Sequence, residues 1–150
     1  MVTHFAGAGG GGGAATFSGA SVVLNAAEAT ATGTFETLSW AGTEEYDTDA
    51  YHDAGAPTLL TIPSAGYYRV IASITWTAGG TGRRLAQILV DGTGDLSSNV
   101  PNPAAGVTTQ AVVKDFLFAG GEDISVRVQS VTEDAEVATT SRFQIEKLGE

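Results

Sequence analysis

Large apolar and polar residues alternate with a period of two in several segments of this chain, most clearly in residues 67–77. There, polar residues such as Arg69 and Ser73 separate the large or apolar ones. This alternation is typical of a β-strand that has one face in the core. The apolar positions of the segment are Tyr68, Val70, Ala72, Ile74 and Trp76.

Similar strand-forming segments recur at short intervals from about residue 20 onward. Turn-forming residues separate them at 91–94, 101–103 and 119–123. No stretch of ten or more residues shows a helical period, and the alanine-rich residues 26–31 end at Gly33. The sequence therefore predicts an all-β antiparallel sandwich or barrel. The predicted strands are residues 21–25, 34–40, 58–62, 67–77, 84–90, 109–118, 124–131 and 140–148.

Two predicted strands, 67–77 and 109–118, carry apolar residues on both faces. In a monomeric antiparallel sandwich the outer face of a sheet usually meets water. We therefore expect a neighbouring subunit to cover one sheet, although a loop or the N-terminal arm of the same subunit is an alternative cover. The predicted interface residues are Tyr67, Ile71, Ala111, Val113 and Leu117.

Residues 124–129 alternate cleanly between apolar and polar side chains. Ile124, Val126 and Val128 share one face, and Ser125, Arg127 and Gln129 share the other. Since a clean alternation is typical of a sheet with one wet face, we expect this strand to lie in a solvent-facing sheet.

The pattern Leu60-x-x-Pro63-x-x-Gly66-x-Tyr68-x-Val70 resembles a signature of the complement globular-head and tumour necrosis factor superfamily. That signature reads aromatic-x-x-Pro-x-x-Gly-x-Tyr-x-Phe, so Leu60 and Val70 stand where the family usually has aromatic residues. The resemblance implies an antiparallel jelly-roll β-sandwich of about ten strands that assembles as a homotrimer.

The resemblance covers roughly residues 20–149. Over this range the sequence is similar to the version of the fold found in bacteriophage head and tail proteins. Besides the signature, it includes residues 34–40, 44–53, 82–92, 109–118 and 141–143. It implies a structural protein at the virion surface, made in the host cytoplasm. A capsid decoration, a head fibre or a tail fibre component would fit, with capsid or tail subunits as partners.

An alternative from a different class is a recognition module of a phage tail tip that binds a host glycan or surface protein. Such a module would use aromatic residues in loops at the distal end of the sandwich. Tyr51 is the main candidate, whereas Trp40 and Trp76 fall in predicted strands.

The chain divides at about residue 18 into an N-terminal arm, residues 1–18, and a domain, residues 19–150. Consecutive glycines give the arm little to bury and much entropy to lose, so the sequence predicts a flexible tether. His4, Phe5 and Phe17 flank the glycines. The resemblance implies an attachment segment at this end, and a frayed terminus is the alternative.

The glycine run carries no further chemistry. The glycines at 7, 9 and 12 match the dinucleotide pattern G-x-G-x-x-G, but no predicted strand precedes them and any glycine run matches it. Collagen needs a glycine at every third residue together with proline, which this run does not have. We therefore predict no nucleotide cofactor.

The net charge of the chain limits the classes of partner that it can bind. With 17 acidic and 7 basic side chains the formal net charge is −10, which disfavours nucleic-acid binding. The sequence has no cysteine, so disulfides and thiolate metal sites are ruled out. No secretory start and no apolar run of ~18 residues are present, so we expect no membrane insertion and folding in a cytoplasm.

Two groups of polar residues are candidate sites. Several carboxylates between residues 44 and 53 could together bind calcium, but EF-hand spacing is absent and we predict a solvated acidic loop without metal. The carboxylates of the calcium candidate are those of Glu44, Glu45, Asp47, Asp49 and Asp53.

Catalytic groups are few, because His4 and His52 lie far apart and adjacent residues such as His52 and Asp53 point to opposite sides of an extended chain. No serine lies in a nucleophile elbow. Distant paired carboxylates stay open, but we predict no enzyme.

Overall fold

A computed structural model describes residues 16–77, 82–100 and 106–150, with the side chains of residues 95–100 left out. The described chain is all-β, and none of it forms a helix long and apolar enough to cross a membrane. In chain order the strands are β1 (Gly19–Val23), β2 (Glu28–Thr30), β3 (Glu36–Thr37), β4 (Glu44–Asp47), β5 (Leu60–Thr61), β6 (Gly66–Trp76), β7 (Arg84–Val90), β8 (Thr93–Val100), β9 (Thr108–Phe118), β10 (Asp123–Ser130), β11 (Ala135–Val137) and β12 (Arg142–Gly149).

The strands form two antiparallel sheets. In the larger sheet β6 lies between β9 and β12, and the order continues from β12 through β1 to β4. β11 pairs with the end of β6 at Trp76, and β2 pairs with β11. The smaller sheet has the order β3-β10-β7-β8, with β5 also paired to β10. Consequently β9 is an edge strand of the larger sheet among the described residues.

The core lies between the two sheets and follows from the alternation in the sequence. On β6, Tyr68, Val70, Ala72, Ile74 and Trp76 are fully buried, as that pattern predicts. The smaller sheet contributes buried side chains from β7 and β10 to the same cluster. Burial of apolar surface on this scale is the main favourable term in folding.

The signature Leu60-x-x-Pro63-x-x-Gly66-x-Tyr68-x-Val70 has a physical basis at the turn between β5 and β6. The Tyr68 hydroxyl donates a hydrogen bond of 2.9 Å to the carbonyl of Ser64, which fastens the turn to β6. Gly66 has a positive φ of 149°, and a Cβ there would lie 2.5 Å from the carbonyl oxygen of Gly149. Only glycine fits at this position.

The predicted strands are confirmed where the apolar alternation is long. Residues 84–90 were predicted with the observed bounds of β7, and β6 and β9 differ from prediction by one residue at their ends. The predicted strand 34–40 is mostly wrong, because only Glu36–Thr37 forms a ladder. Beyond it, the amides of Leu38 and Trp40 bond to the carbonyls of Val126 and Pro57, and both side chains are buried.

Four strands, β2, β4, β8 and β11, have too few apolar residues to show in the sequence. The predicted turn at 91–94 is shorter than expected. Asp91 and Gly92 take positive φ values of 48° and 74°, as in a two-residue hairpin turn, and β8 begins at Thr93. The predicted turn at 101–103 lies outside the described residues.

The prediction of a solvent-facing outer face on β10 is wrong at Ser125. The inner residues Ile124, Val126 and Val128 are buried as expected, but Ser125 is only 6% exposed. Ser125 is a small residue that lies opposite Leu89 of β7, and Leu89 is itself only 5% exposed, so larger neighbouring side chains cover this position. Thr37 on β3, in contrast to Ser125, is exposed to solvent.

Candidate functional site on the outer face of the larger sheet

The register between β6 and β9 brings the residues predicted for an interface onto one surface. It sets Tyr67 opposite Leu117 and Ile71 opposite Val113. Ala111 lies opposite Ser73 on the same face. Directly opposed side chains in an antiparallel ladder are ~4.5–5.5 Å apart at Cβ, so they form a continuous patch. We call this set, Tyr67, Ile71, Ala111, Val113 and Leu117, the outer patch.

The outer patch is open to solvent in the single chain. Tyr67 is 51% exposed, Val113 is 49% exposed and Leu117 is 67% exposed. No described segment covers these side chains, so cover by a described loop of the same subunit is excluded. Residues 1–15, which include most of the predicted arm, lie outside the described residues. A contiguous exposed apolar patch of this kind is typical of a protein–protein contact.

An ion pair that the sequence pattern does not predict lies inside the outer patch. Arg69 donates two hydrogen bonds to Asp115, at 2.8 and 2.9 Å, between the Tyr67–Leu117 and Ile71–Val113 pairs. These bonds from Arg69 hold the pKa of Asp115 below its usual range. The alternation of the sequence places both residues on the outward face of their strands. Their contact depends on the register between β6 and β9, which the sequence alone does not give.

The rest of the outer face, on β12, β1 and β4, is largely polar, and several of its side chains hydrogen-bond to one another. Ser21 donates to Glu45 at 2.7 Å, and Arg142 donates to the other oxygen of the same carboxylate. The bond from Ser21 lowers the pKa of Glu45, with Arg142 adding to the effect. Tyr46 lies opposite Ser21 in the pairing of β4 with β1. Several polar groups of this part of the face therefore bond to one another, while Nε of Arg142 is buried without a hydrogen-bond partner among the described residues.

The acidic segment is not one solvated loop, because Glu44–Asp47 forms β4 and pairs with β1. After this strand, the carboxylate of Asp47 accepts hydrogen bonds from the backbone amides of Asp49, Tyr51 and His52. Such bonds order the turn that follows β4. The carboxylates that sequence grouped together thus serve separate structural roles.

Asp49 belongs to a hydrogen-bonded chain with Ser18 and Tyr51. The Ser18 hydroxyl donates to Asp49 at 2.6 Å and lies 2.6 Å from the Tyr51 hydroxyl. Burial raises the pKa of Tyr51 to about 12, so Tyr51 keeps its proton and can donate it to Ser18. The bond from Ser18 lowers the pKa of Asp49, and Thr48 adds a second bond. This chain fastens the start of β1 to the turn after β4.

His52 does not pair with Asp53. Its Nδ1 lies 2.7 Å from a carboxylate oxygen of Glu44, and its side chain is 3% exposed. Asp53 instead accepts a hydrogen bond of 2.8 Å from the amide of Gly55. Within the described residues, no group of three or more His, Cys, Asp or Glu side chains is placed to hold a metal ion.

The aromatic residues considered for a recognition surface are buried. Tyr51 is 1% exposed and its ring lies 6.3 Å from that of Tyr68 in the core. Trp40 and Trp76 are fully buried. The prediction that Tyr51 forms an exposed aromatic platform is therefore wrong, since its hydroxyl rather than its ring reaches the surface network with Ser18.

The residues predicted for particle attachment separate into two groups. His4 and Phe5 lie outside the described residues. Phe17 is 55% exposed, and its ring centre lies 5.3 Å from that of Tyr46 in an edge-to-face contact. The carbonyl of Ser18 accepts a hydrogen bond of 2.8 Å from the amide of Lys147. The last two residues of the predicted arm therefore contact the domain.

A cleft of about 430 Å³ opens at the edge of the sandwich, between the β7–β8 turn and the inner side of β9. Phe116 and Phe118 form its apolar wall, with ring centres 5.0 Å apart, and the Lys114 ammonium lies 4.8 Å from the centre of the Phe116 ring. The cleft also borders Leu117. Apolar surface thus continues from the outer patch around the edge of β9.

Comparison with known proteins identifies the fold. Neither a protein-family model nor a curated protein sequence matches this chain. Among solved structures, Eiger TNF from S. frugiperda superposes with a TM-score of 0.67 at 10% identity, covering 89% of this chain and 94% of that one. Murine APRIL, from a crystal structure at pH 5.0, gives a TM-score of 0.67 at 12% identity, covering 89% and 100%. The chain is a TNF-like antiparallel jelly roll, as the signature predicts.

Calcium should leave the thermal stability nearly unchanged, because the carboxylates of residues 44–53 already accept separate hydrogen bonds from the protein. A site filled at a hundred times its dissociation constant would add ~2.7 kcal/mol. Thermal unfolding with and without saturating calcium measures this. A rise of several degrees that disappears in the double variant Asp47→Asn, Asp49→Asn would show a cation site instead.

Stability should fall as the pH drops below about 4, the region of the unfolded Asp pKa. Asp49 and Asp115 have lowered pKa values in the folded state, so their contribution is present above the unfolded pKa and is lost as the pH falls through the folded one. Asp49→Asn should destabilise the protein at pH 7 and make less difference at pH 3, measured by urea unfolding. An equal difference at both pH values would contradict this account of Asp49.

Proposed function

We propose that this chain is a non-enzymatic structural protein of a bacteriophage particle, displayed on the virion surface as a homotrimer and attached through its N-terminal arm. The observation that supports self-assembly best is the outer patch, with Val113 49% and Leu117 67% exposed on a TNF-like jelly roll. The bacteriophage setting is supported by the sequence resemblance, and capsid or tail subunits would be the further partners.

Self-association through the outer patch follows from its composition. Exposed apolar side chains flank a single ion pair, Arg69–Asp115, that is already satisfied within the chain. Burying such a patch removes apolar surface from water without leaving a lone charge behind. Obligate interfaces typically bury ~2,000 Å² or more, and the apolar surface around the edge of β9 gives the patch room to extend.

A charge placed in the outer patch should dissociate the trimer. In Val113→Asp the new carboxylate would be buried without a partner, whereas Thr37→Asp places the same charge on an exposed position of the smaller sheet. Light scattering at micromolar protein should give a trimer mass for the wild type and for Thr37→Asp, and a monomer mass for Val113→Asp. A monomeric wild type would remove the trimer, and equal effects of the two variants would show that the interface lies elsewhere.

Attachment through the arm separates a particle component from a recognition module. Deleting residues 1–15 should change the melting temperature little, since a glycine run loses much entropy on ordering and buries almost nothing. The same deletion should abolish binding to particles that lack the protein, because His4 and Phe5 are lost. Three arms on one trimer would bind with avidity, so weak single contacts would suffice.

The experiment adds full-length and deleted protein to depleted particles and measures occupancy, and it adds both forms to host cells. Undiminished occupancy by the deleted form would overturn attachment through the arm. Tight binding of isolated trimers to host cells would favour the recognition module over the structural protein.

A further inference from the structure

Several exposed apolar side chains continue the outer patch across the larger sheet at one end. Tyr67 lies opposite Leu117 on β9 and opposite Gly149 on β12. Leu148, in the register shift beside Gly149, is 50% exposed. We call the residues Leu117, Tyr67, Leu148 and Phe17 the apolar row.

Phe17 joins the row through the register between β1 and β12. Gly19 lies opposite Glu146, and the carbonyl of Ser18 bonds to the amide of Lys147. Continuing this register brings Phe17 level with Leu148. The row therefore crosses three strand spacings, or about 14 Å.

The ring of Phe17 lies on the same side of the sheet as the outer patch. Gly19 shares a transverse row with Glu146 and the outward-facing Arg69. A Cβ on Gly19 would lie 2.4 Å from the carbonyl oxygen of Ile145 and 3.0 Å from the ring of Phe17, so the ring packs close to the backbone of β1 at this glycine. Phe17 also contacts Tyr46, which lies opposite the outward-facing Ser21 of β1.

The charges of this face favour a second copy of the chain as the occupant of the row. Each chain carries a formal net charge of −10, so two copies repel each other unless they meet at a surface with little excess charge. Around the row, three ion pairs join Arg69 to Asp115, Arg142 to Glu45 and Lys147 to Glu150, and Glu146 and Asp49 are acids without a basic partner among the described residues. A surface that holds so little of the excess charge of the chain fits an identical acidic chain better than it fits a charged partner.

We propose that the apolar row is a contact between copies of this chain, so that Phe17 holds subunits together rather than binding the particle. This inference rests on the proposed trimer. It extends the interface from β9 and β6 to Phe17 and Ser18, the last residues of the arm before β1. The arms of the assembled subunits then begin at the interface, all at the same end of the assembly.

The substitution Phe17→Ser tests the contact, with Phe35→Ser as a matched control. Phe35 is 39% exposed and lies against Arg127 of the smaller sheet, with the guanidinium carbon 4.2 Å from the ring centre. Sedimentation equilibrium should show that Phe17→Ser raises the concentration of half-dissociation by roughly tenfold or more, as for a buried aromatic contact, while Phe35→Ser changes it little.

The measurement distinguishes the role of Phe17 from the trimer itself. A stable wild-type trimer that Phe17→Ser leaves unchanged would overturn the role of Phe17 and keep the trimer. A monomeric wild type would overturn both.

The position of the arms has its own test, because the chain contains no cysteine. Thr16→Cys should be linked between subunits by a short bis-maleimide, and Thr37→Cys on the smaller sheet should not. Equal linkage at both positions, or none at Thr16→Cys in an intact trimer, would contradict arms that begin at the interface.

Discussion

Strand β6 pairs with β9 along its full length and with β12 along most of it, and this pairing determines both the core and the outer patch. A slip of one residue would turn Tyr68, Val70 and Ile74 outward and bring Tyr67 and Arg69 into the core. The register is held at the Gly66 end, where the Tyr68 hydroxyl bonds to Ser64 and the backbone of Gly149 approaches too closely for any Cβ. Core and candidate interface are thus two faces of one ladder.

The larger sheet divides its outer face between two kinds of surface. On β12, β1 and β4, polar groups such as Ser21, Glu45 and Arg142 bond to one another, and the exposed apolar side chain of Leu148 lies at one end of β12. On β9 and β6, apolar side chains dominate and Arg69–Asp115 is the ion pair among them. The apolar row connects the second half to the root of the arm through Phe17. If copies meet there, assembly and attachment begin from adjacent parts of the chain.

The fold could be predicted from sequence where period-two alternation was long, as in β6, β7 and β9, and where the turn signature fixed a connection. Strands such as β4 and β8 could not, because they contain few apolar residues and depend on their partners for pairing. The members of the outer patch were predicted from their outward positions, but the Arg69–Asp115 pair required the register. Tyr51 was misassigned because sequence does not show which side of a loop residue faces the core, and Ser125 because neighbouring strands rather than its own strand determine its exposure.

The most direct test of the account is hydroxyl-radical footprinting of the wild-type protein at micromolar concentration, with modification of each residue measured by mass spectrometry. In a single chain Tyr67 is 51% exposed and Phe35 is 39% exposed, so Tyr67 would be the more accessible ring. If copies of the chain cover the larger sheet, Tyr67 and Leu117 are protected while Phe35 is modified freely. Modification of Tyr67 and Leu117 in proportion to their single-chain exposure would contradict the covered face.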